Sequence, residues 1–222
     1  MHAIQTFIDE HLSAGERLGE LAFGLIMTLT YTLGTSVATG TTEGAWSALF
    51  TATVGCNVAW GAIDGVFLIL GRLFDRGRLA RLDRAIANSR DDGTAIRVVA
   101  GELDPTLASI SSDADRLALY RDVVGRVRSS PAPEPSVTRE DFLAAAATFA
   151  LVFFASLPVA VPYLLIKDPW LALRVSNALL IGVLFYAGYR WAGYTSFNPW
   201  RAGVVVTSIG VVLVAVAIAL GG

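Results

Sequence analysis

Long apolar segments constrain this chain more than any other feature of its sequence. The last of them, residues 202–220, contains 19 residues and no charged side chain. A membrane-spanning helix needs roughly 20 mostly apolar residues, and it satisfies its own backbone hydrogen bonds in lipid. Five segments meet this requirement: 20–38, 45–71, 142–166, 171–191 and 202–220. The sequence therefore predicts an all-α integral membrane protein, a bundle of five transmembrane helices in a lipid bilayer.

Composition agrees with a membrane protein and excludes several other classes. Charged residues make up 16% of the chain, against about 25% in a typical soluble domain. The net charge of −2 is nearly neutral, which argues against a nucleic-acid partner. The sequence contains no phosphate-binding loop, dinucleotide fingerprint or paired nucleophile and base. We therefore expect no enzyme activity, no catalytic residue and no bound cofactor.

The basic residues predict the orientation in the membrane. Twelve of the seventeen Lys and Arg residues fall between positions 72 and 139, and cytoplasmic loops carry the excess of such residues. The N-terminus is therefore expected in the cytoplasm and the C-terminus outside. The expected location is the plasma (inner) membrane, with the protein crossing it several times.

The chain is expected to have three parts. Residues 1–71 hold an N-terminal segment and transmembrane helices 1 and 2, and residues 140–222 hold helices 3 to 5. Residues 72–139 form a cytoplasmic helical insert and a Pro-rich linker, because Leu79, Leu82 and Ile86 recur at helical spacing. Acidic residues balance the basic ones in the insert. It is either a solvated helical cap or a carboxylate collar that collects cations.

Asp64 is an ionisable residue inside the second apolar segment. A carboxylate at the centre of a membrane helix costs about 2.5 to 3.5 kcal/mol, so it needs a partner or a water-filled cavity. Helices 1 and 2 are joined by a turn centred near Thr41 and Thr42, and both rise about 1.5 Å per residue. Counting from that centre places Glu20 level with Asp64, and Met27 level with Asn57.

These four residues suggest a cation path. Helical spacing places Glu20 and Met27 on one face of helix 1, and Asn57 and Asp64 on one face of helix 2. Oxygen ligands suit divalent cations, a thioether favours transition metals, and two close carboxylates tend to share one proton. The small residues of the two faces would allow close packing; they are Gly24, Gly61 and Gly65. Alternatively, Asp64 pairs with a polar group such as Asn177 and fixes helix packing.

The chain resembles the vacuolar iron transporter family in its five predicted spans and helical insert. The resemblance is most specific in "ERLGELAFGLIMTLTYT" and "GCNVAWGAIDGVF". It implies a homodimer that exchanges Fe(II) or Mn(II) for protons. It also implies that the metal path runs along Glu20 and Met27 of helix 1 and Asn57 and Asp64 of helix 2. The alternative is a multi-pass membrane protein that does not transport and whose cytoplasmic helices dock a partner.

Overall fold

The protein is helical throughout the part of the chain that the structure describes. The structure is a computed structural model that describes residues 2–39, 45–130 and 134–220. The α-helices are α1 (His2–His11), α2 (Ala14–Thr39), α3 (Ala45–Ala87), α4 (Asp92–Leu107), α5 (Asp113–Ser129), α6 (Arg139–Leu165), α7 (Pro169–Trp191) and α8 (Pro199–Ala219). A short 3₁₀ turn, Ala192–Tyr194, follows α7. Those described residues contain no strand, which confirms the all-α prediction.

Several helices have the length and composition of membrane spans. Within the described ranges, three segments are apolar and long enough: Val54–Ala87, Trp170–Tyr194 and Pro199–Ala219. The predicted first and third spans fall on α2 and α6, which contain 26 and 27 residues. A helix of that length is about 40 Å long and can also cross a bilayer. The protein is a membrane helix bundle, and the count of five spans remains a prediction.

The third helix is longer than the span predicted within it. That span ends at Gly71, whereas α3 continues without interruption to Ala87. Residues 72–87 are rich in Arg, Leu and Ala, which favour helix, and contain no proline. Neither Gly71 nor Gly77 ends the helix, because a single glycine costs only about 1 kcal/mol in a helix interior. The predicted turn around Thr41 and residues 131–133 of the predicted linker lie outside the described residues.

Contacts divide the chain into two compact units. The first contains Met1–Ile69 and Arg139–Gly222, and the second contains Leu70–Thr138. The core of the first unit is apolar and combines side chains from four helices. Its buried members are Leu25 and Leu29 of α2, Ala155 of α6, Leu180 and Leu184 of α7, and Val214 of α8. The amphipathic helix α1 packs on α6, where Ile8 and Leu12 meet Ala144 and Ala147.

Three glycines allow α6 to pack closely in the first unit. A Cβ atom on Gly24 would lie 3.2 Å from that of Ala155, and one on Gly65 would lie 3.1 Å from the carbonyl oxygen of Ala145. A Cβ atom on Gly61 would lie 3.2 Å from the carbonyl oxygen of Phe149. The sequence predicts that these glycines lie in a contact between helices 1 and 2. The partner is instead α6, because this third helix packs against both of them.

Replacing Gly61 with leucine should therefore destabilise the first unit. The backbone of α6 cannot retreat without losing packing, and such overpacking costs about 1 to 3 kcal/mol. Gly55→Leu is the matched control on the same helix, since nothing lies within 4 Å of a Cβ atom there. Thermal unfolding of both variants in detergent should show a lower midpoint for Gly61→Leu alone. Equal midpoints would contradict the close packing on α6.

The second unit is a small helical assembly with its own core. Buried residues of three helices form it: Ile86 of α3, Ala95 and Val99 of α4, and Tyr120 and Val124 of α5. The carboxylate of Asp91 accepts a hydrogen bond from the backbone N–H of Thr94 and caps α4, which lowers the pKa of Asp91. The helical spacing of Leu79, Leu82 and Ile86 in the sequence predicted the first of these helices. The helix α4 was not singled out, because Gly93, Gly101 and Pro105 interrupt its pattern.

In the second unit, arginines form ion pairs with most of the acidic residues whose partners are described. The ion pairs are Arg78–Glu102, Arg116–Asp104, Arg116–Asp113, Arg126–Asp122 and Arg128–Asp92. A carboxylate that is neutralised by a guanidinium attracts a metal cation less strongly than a free one. This arrangement favours the solvated helical cap over the carboxylate collar.

Candidate functional site

The two carboxylates singled out in the sequence lie near each other in the first unit. Glu20 is on α2 and Asp64 is on α3, and both side chains are half-buried. They are close enough for the negative charge of Asp64 to act on Glu20. The Oδ2 atom of Asp64 is buried and has no hydrogen-bond partner among the described residues. An unpartnered carboxylate oxygen between two helices is available to a proton or a cation.

Two further contacts fix the register of α2 against α3. The rings of Phe23 and Trp60 meet edge to face, with centroids 5.6 Å apart. The amide Nδ2 of Asn57 donates a hydrogen bond of 2.9 Å to Oγ1 of Thr28. Glu20, Phe23 and Thr28 follow one another along α2. Their partners on α3 are Asp64, Trp60 and Asn57, which follow in the reverse order along the chain. The helices are therefore antiparallel neighbours, as the depth count assumed.

Asn57 is the most buried of the four predicted site residues. Its side chain is 1% exposed, and its Oδ1 atom has no hydrogen-bond partner among the described residues. The depth count paired Asn57 with Met27, but its hydrogen bond goes to Thr28. Adjacent helix residues point about 100° apart, so Met27 is at the right level but on a different side of α2. Met27 is half-buried there.

Buried hydroxyl and amide groups continue the polar line beyond Asn57. The hydroxyl of Thr28 donates to the carbonyl of Gly24 at 2.7 Å. One turn later, the hydroxyl of Thr32 is 2.8 Å from the carbonyl of Thr28 and 3.1 Å from Oδ1 of Asn177. Asn177 therefore lies at Thr32, about 18 Å along α2 from Glu20. This position disfavours the alternative in which Asn177 is the partner of Asp64.

Sequence reasoning missed the threonines of this region. Thr28, Thr32 and Thr148 are at most 1% exposed, and Oγ1 of Thr148 on α6 has no hydrogen-bond partner among the described residues. A threonine in a membrane helix commonly satisfies its hydroxyl on the preceding turn, so its sequence alone indicates nothing unusual. The spacing of Thr28 and Thr32 by one helical turn was the available signal. It places both hydroxyls on the face that meets α3 and α7.

The site offers few anionic ligands. In the part of the chain that the structure describes, no group of three or more His, Cys, Asp or Glu side chains could hold a metal ion. Glu20 and Asp64 are thus a pair of carboxylates, with the neutral oxygen of Asn57 deeper along α3. Carboxylate and amide oxygens are the ligand type that divalent cations such as Ca²⁺ and Mg²⁺ prefer.

Comparison with known proteins identifies the family. The model of the VIT family matches residues 97–222, which is more than half of the chain. The chain belongs to the vacuolar iron transporter family. The comparison with curated proteins gives no match. Membership confirms the resemblance seen in the sequence. It indicates membrane transport of metal ions, since members of this family are transporters and not enzymes.

The family match and the candidate site cover different parts of the chain. The matched residues begin within α4 and include α5 to α8. Glu20, Met27, Asn57 and Asp64 all precede them, and so do the two segments on which the resemblance was based. Family membership therefore rests on residues 97–222 of this protein. The candidate cation site is defined instead by the geometry of α2 and α3.

Proposed function

We propose that the protein transports divalent transition-metal cations, Fe(II) or Mn(II), across a membrane in exchange for protons. The cation path would run between α2 and α3, with Glu20 and Asp64 at its cytoplasmic mouth and Asn57 deeper along it, while Met27 lies at the level of Asn57 on another side of α2. The observation that supports it best is the pairing of two half-buried carboxylates on adjacent helices. Family membership supplies the class of cargo.

The charges at the mouth explain how metal and protons would be coupled. Two neighbouring carboxylates repel each other when both are ionised, and a shared proton relieves that repulsion. A divalent cation relieves it more fully and takes the place of the proton. Since the cation is the transported substrate, the two carboxylates have to release it again.

Distances along α3 set the scale of the path. Asn57 lies seven residues from Asp64, a rise of about 10 Å. The unpartnered Oδ1 of Asn57 is buried at that depth, and an isolated buried amide oxygen carries a desolvation cost. A passing cation or an accompanying water molecule would satisfy it. The thioether of Met27 lies at the same level but on another side of α2, so the oxygens of Glu20, Asp64 and Asn57 are the ligands that this geometry supports.

Transport of reconstituted protein tests this function. The full chain in lipid vesicles should accumulate Fe(II) or Mn(II) faster than empty vesicles do, and a pH gradient should change the rate. Co(II), Zn(II) and Mg(II) measured in the same way give the selectivity. The proposal fails if none of the five ions accumulates, or if uptake is independent of the pH gradient.

The proposed orientation has the N-terminus in the cytoplasm, five spans and the C-terminus outside. It is supported by the Lys and Arg residues between positions 72 and 139 and by the lengths of α2 and α6. Reporter tags at each terminus test it in whole cells. Finding both termini on the same side would exclude five spans.

A second function is favoured by the hydrogen bond between Asn57 and Thr28. Interhelical bonds of this type stabilise membrane bundles by about 0.6 to 1.7 kcal/mol, so the polar side chains could act in packing alone. In that case the protein would be a multi-pass membrane protein that does not transport, with the second unit docking a partner. The uptake assay separates the two functions, since a packing protein moves no ion.

The proposed assembly is a homodimer that uses α3. Next to Asp64, α3 carries the exposed apolar side chains of Ile63, Val66 and Phe67, with exposed fractions of 39%, 56% and 66%. Since Gly61 and Gly65 already pack on α6, this second face of the helix is open to another copy. Tight packing of a second copy would cover these side chains in the membrane.

Cross-linking tests the dimer. In a Cys56→Ser background, Val66→Cys in native membranes should yield a product of twice the monomer mass with a short bifunctional thiol reagent. Ile209→Cys on α8, which is also exposed at 54%, is the control and should yield little. Equal yields at positions 66 and 209 would indicate random collision. The absence of a product from Ile63→Cys, Val66→Cys and Phe67→Cys alike would contradict this interface.

A further inference from the structure

The first unit contains a large cleft that the residues of the candidate site do not line. Its volume is about 720 Å³, and α1, the start of α2, α6 and the end of α7 line it. None of Glu20, Met27, Asn57 and Asp64 is among its lining residues. The proposed cation path does not account for this cleft.

The floor of the cleft is an apolar strip of α6. Leu151, Phe154, Leu157, Pro158 and Val161 follow one another at helical spacing along it. From the first to the last of them α6 rises about 15 Å, which is half of the roughly 30 Å hydrocarbon thickness of a bilayer. The strip therefore has the length of one leaflet, the region that a single acyl chain occupies.

Charged side chains lie at one end of the cleft. Arg17 at the start of α2 and Arg190 at the end of α7 both line it, together with Asp9 and Tyr194. Arg17 forms an ion pair with Asp9, and Arg190 lies 3.4 Å from the hydroxyl of Tyr186. A guanidinium has five N–H donors, so these contacts leave donors of both arginines available. Two arginines and one aspartate give this end a net charge of +1.

We propose that the cleft binds an anionic glycerophospholipid. Its phosphate would contact Arg17 and Arg190, and one acyl chain would lie along the α6 strip. Guanidinium groups are well suited to phosphate oxygens, and an apolar groove at leaflet depth suits an acyl chain. The combination of both in a single cleft favours a lipid over a peptide or a free anion. A peptide would leave backbone polar groups unpaired against the apolar floor.

The test is lipid binding to the purified full chain in mild detergent. Native mass spectrometry would measure binding of dioleoyl phosphatidylglycerol and dioleoyl phosphatidylcholine. The wild type should prefer phosphatidylglycerol, and Arg17→Gln with Arg190→Gln should remove most of the preference, at about fivefold per arginine. Arg174→Gln is the matched control, because Arg174 lies over Trp170 on α7 and does not line the cleft. It should leave the preference unchanged.

A variant that should strengthen lipid binding shows that the losses in the other variants do not come from unfolding. Asp9→Asn raises the net charge at the mouth from +1 to +2 and should strengthen phosphatidylglycerol binding about fivefold. Leu157→Trp should fill the groove and reduce binding of both lipids. Unchanged preference in the double arginine variant, or weaker binding in Asp9→Asn, would overturn the proposal. So would displacement of the lipid by inorganic phosphate, or a folded Leu157→Trp protein that binds both lipids as strongly as the wild type does.

Discussion

Asp64→Asn is expected to abolish metal uptake while leaving the protein folded. The substitution keeps the shape of the side chain and removes its charge at the mouth of the proposed path. A carboxylate that contributes about 3 kcal/mol to holding the ion accounts for a loss on the order of 100-fold in rate. Initial uptake of Mn(II) or Fe(II) into vesicles, at equal protein content, measures the effect.

The control for this variant lies on the same helix. Asp75→Asn makes the same chemical change on α3 at an exposed position outside the first unit, and it should transport at the wild-type rate. Thermal unfolding of both proteins should match that of the wild type, because neither change opens a cavity. A protein in which Asp64→Asn transports normally would favour the packing function. Loss of both transport and folding would instead assign Asp64 a structural role.

Glu20→Gln is expected to have the second largest effect, on the pH dependence of transport. With a neutral amide at position 20, Asp64 no longer has a neighbouring carboxylate with which to share a proton. Uptake should fall about tenfold and should respond less to a pH gradient, since metal entry then displaces less than one proton at the pair. Uptake rates between pH 5.5 and 8, with and without the gradient, measure this change.

The neighbouring glutamate provides a matched control. Glu16 lies one turn before Glu20, and its carboxylate accepts a hydrogen bond of 2.7 Å from the backbone N–H of Ser13. Glutamine can make the same capping contact, so Glu16→Gln keeps the start of α2 intact. Its pH profile should change less than that of Glu20→Gln, because the charge of Glu16 acts on Glu20 more weakly than that of Asp64 does. If Glu16→Gln and Glu20→Gln change the profile equally, the effect comes from the general charge of this helix end and not from the pair.

The relation between sequence and site is clearest for the four predicted residues. A constant rise per residue was enough to place Glu20 level with Asp64, and Asn57 level with the Met27–Thr28 turn. It could not decide which side of α2 faces Asn57, because a small rotation of the helix exchanges Met27 for Thr28. Rotation depends on all the neighbours of a helix. Here α6 and α7 contribute, through the packing of Gly24 on Ala155 and the hydrogen bond from Thr32 to Asn177.

Composition and residue spacing are enough to predict that the protein is helical, that it lies in a membrane and that Asp64 is an ionisable residue inside an apolar helix. These conclusions follow from the composition and spacing of residues within single segments, and local patterns are enough to establish them. The packing of the helices was needed to show that Gly61 and Gly65 contact α6, that Asn57 bonds Thr28, and that Arg17 and Arg190 line one cleft. In each case the partners are distant in sequence. Their meeting depends on how several helices share one core, which the pattern of a single helix does not encode.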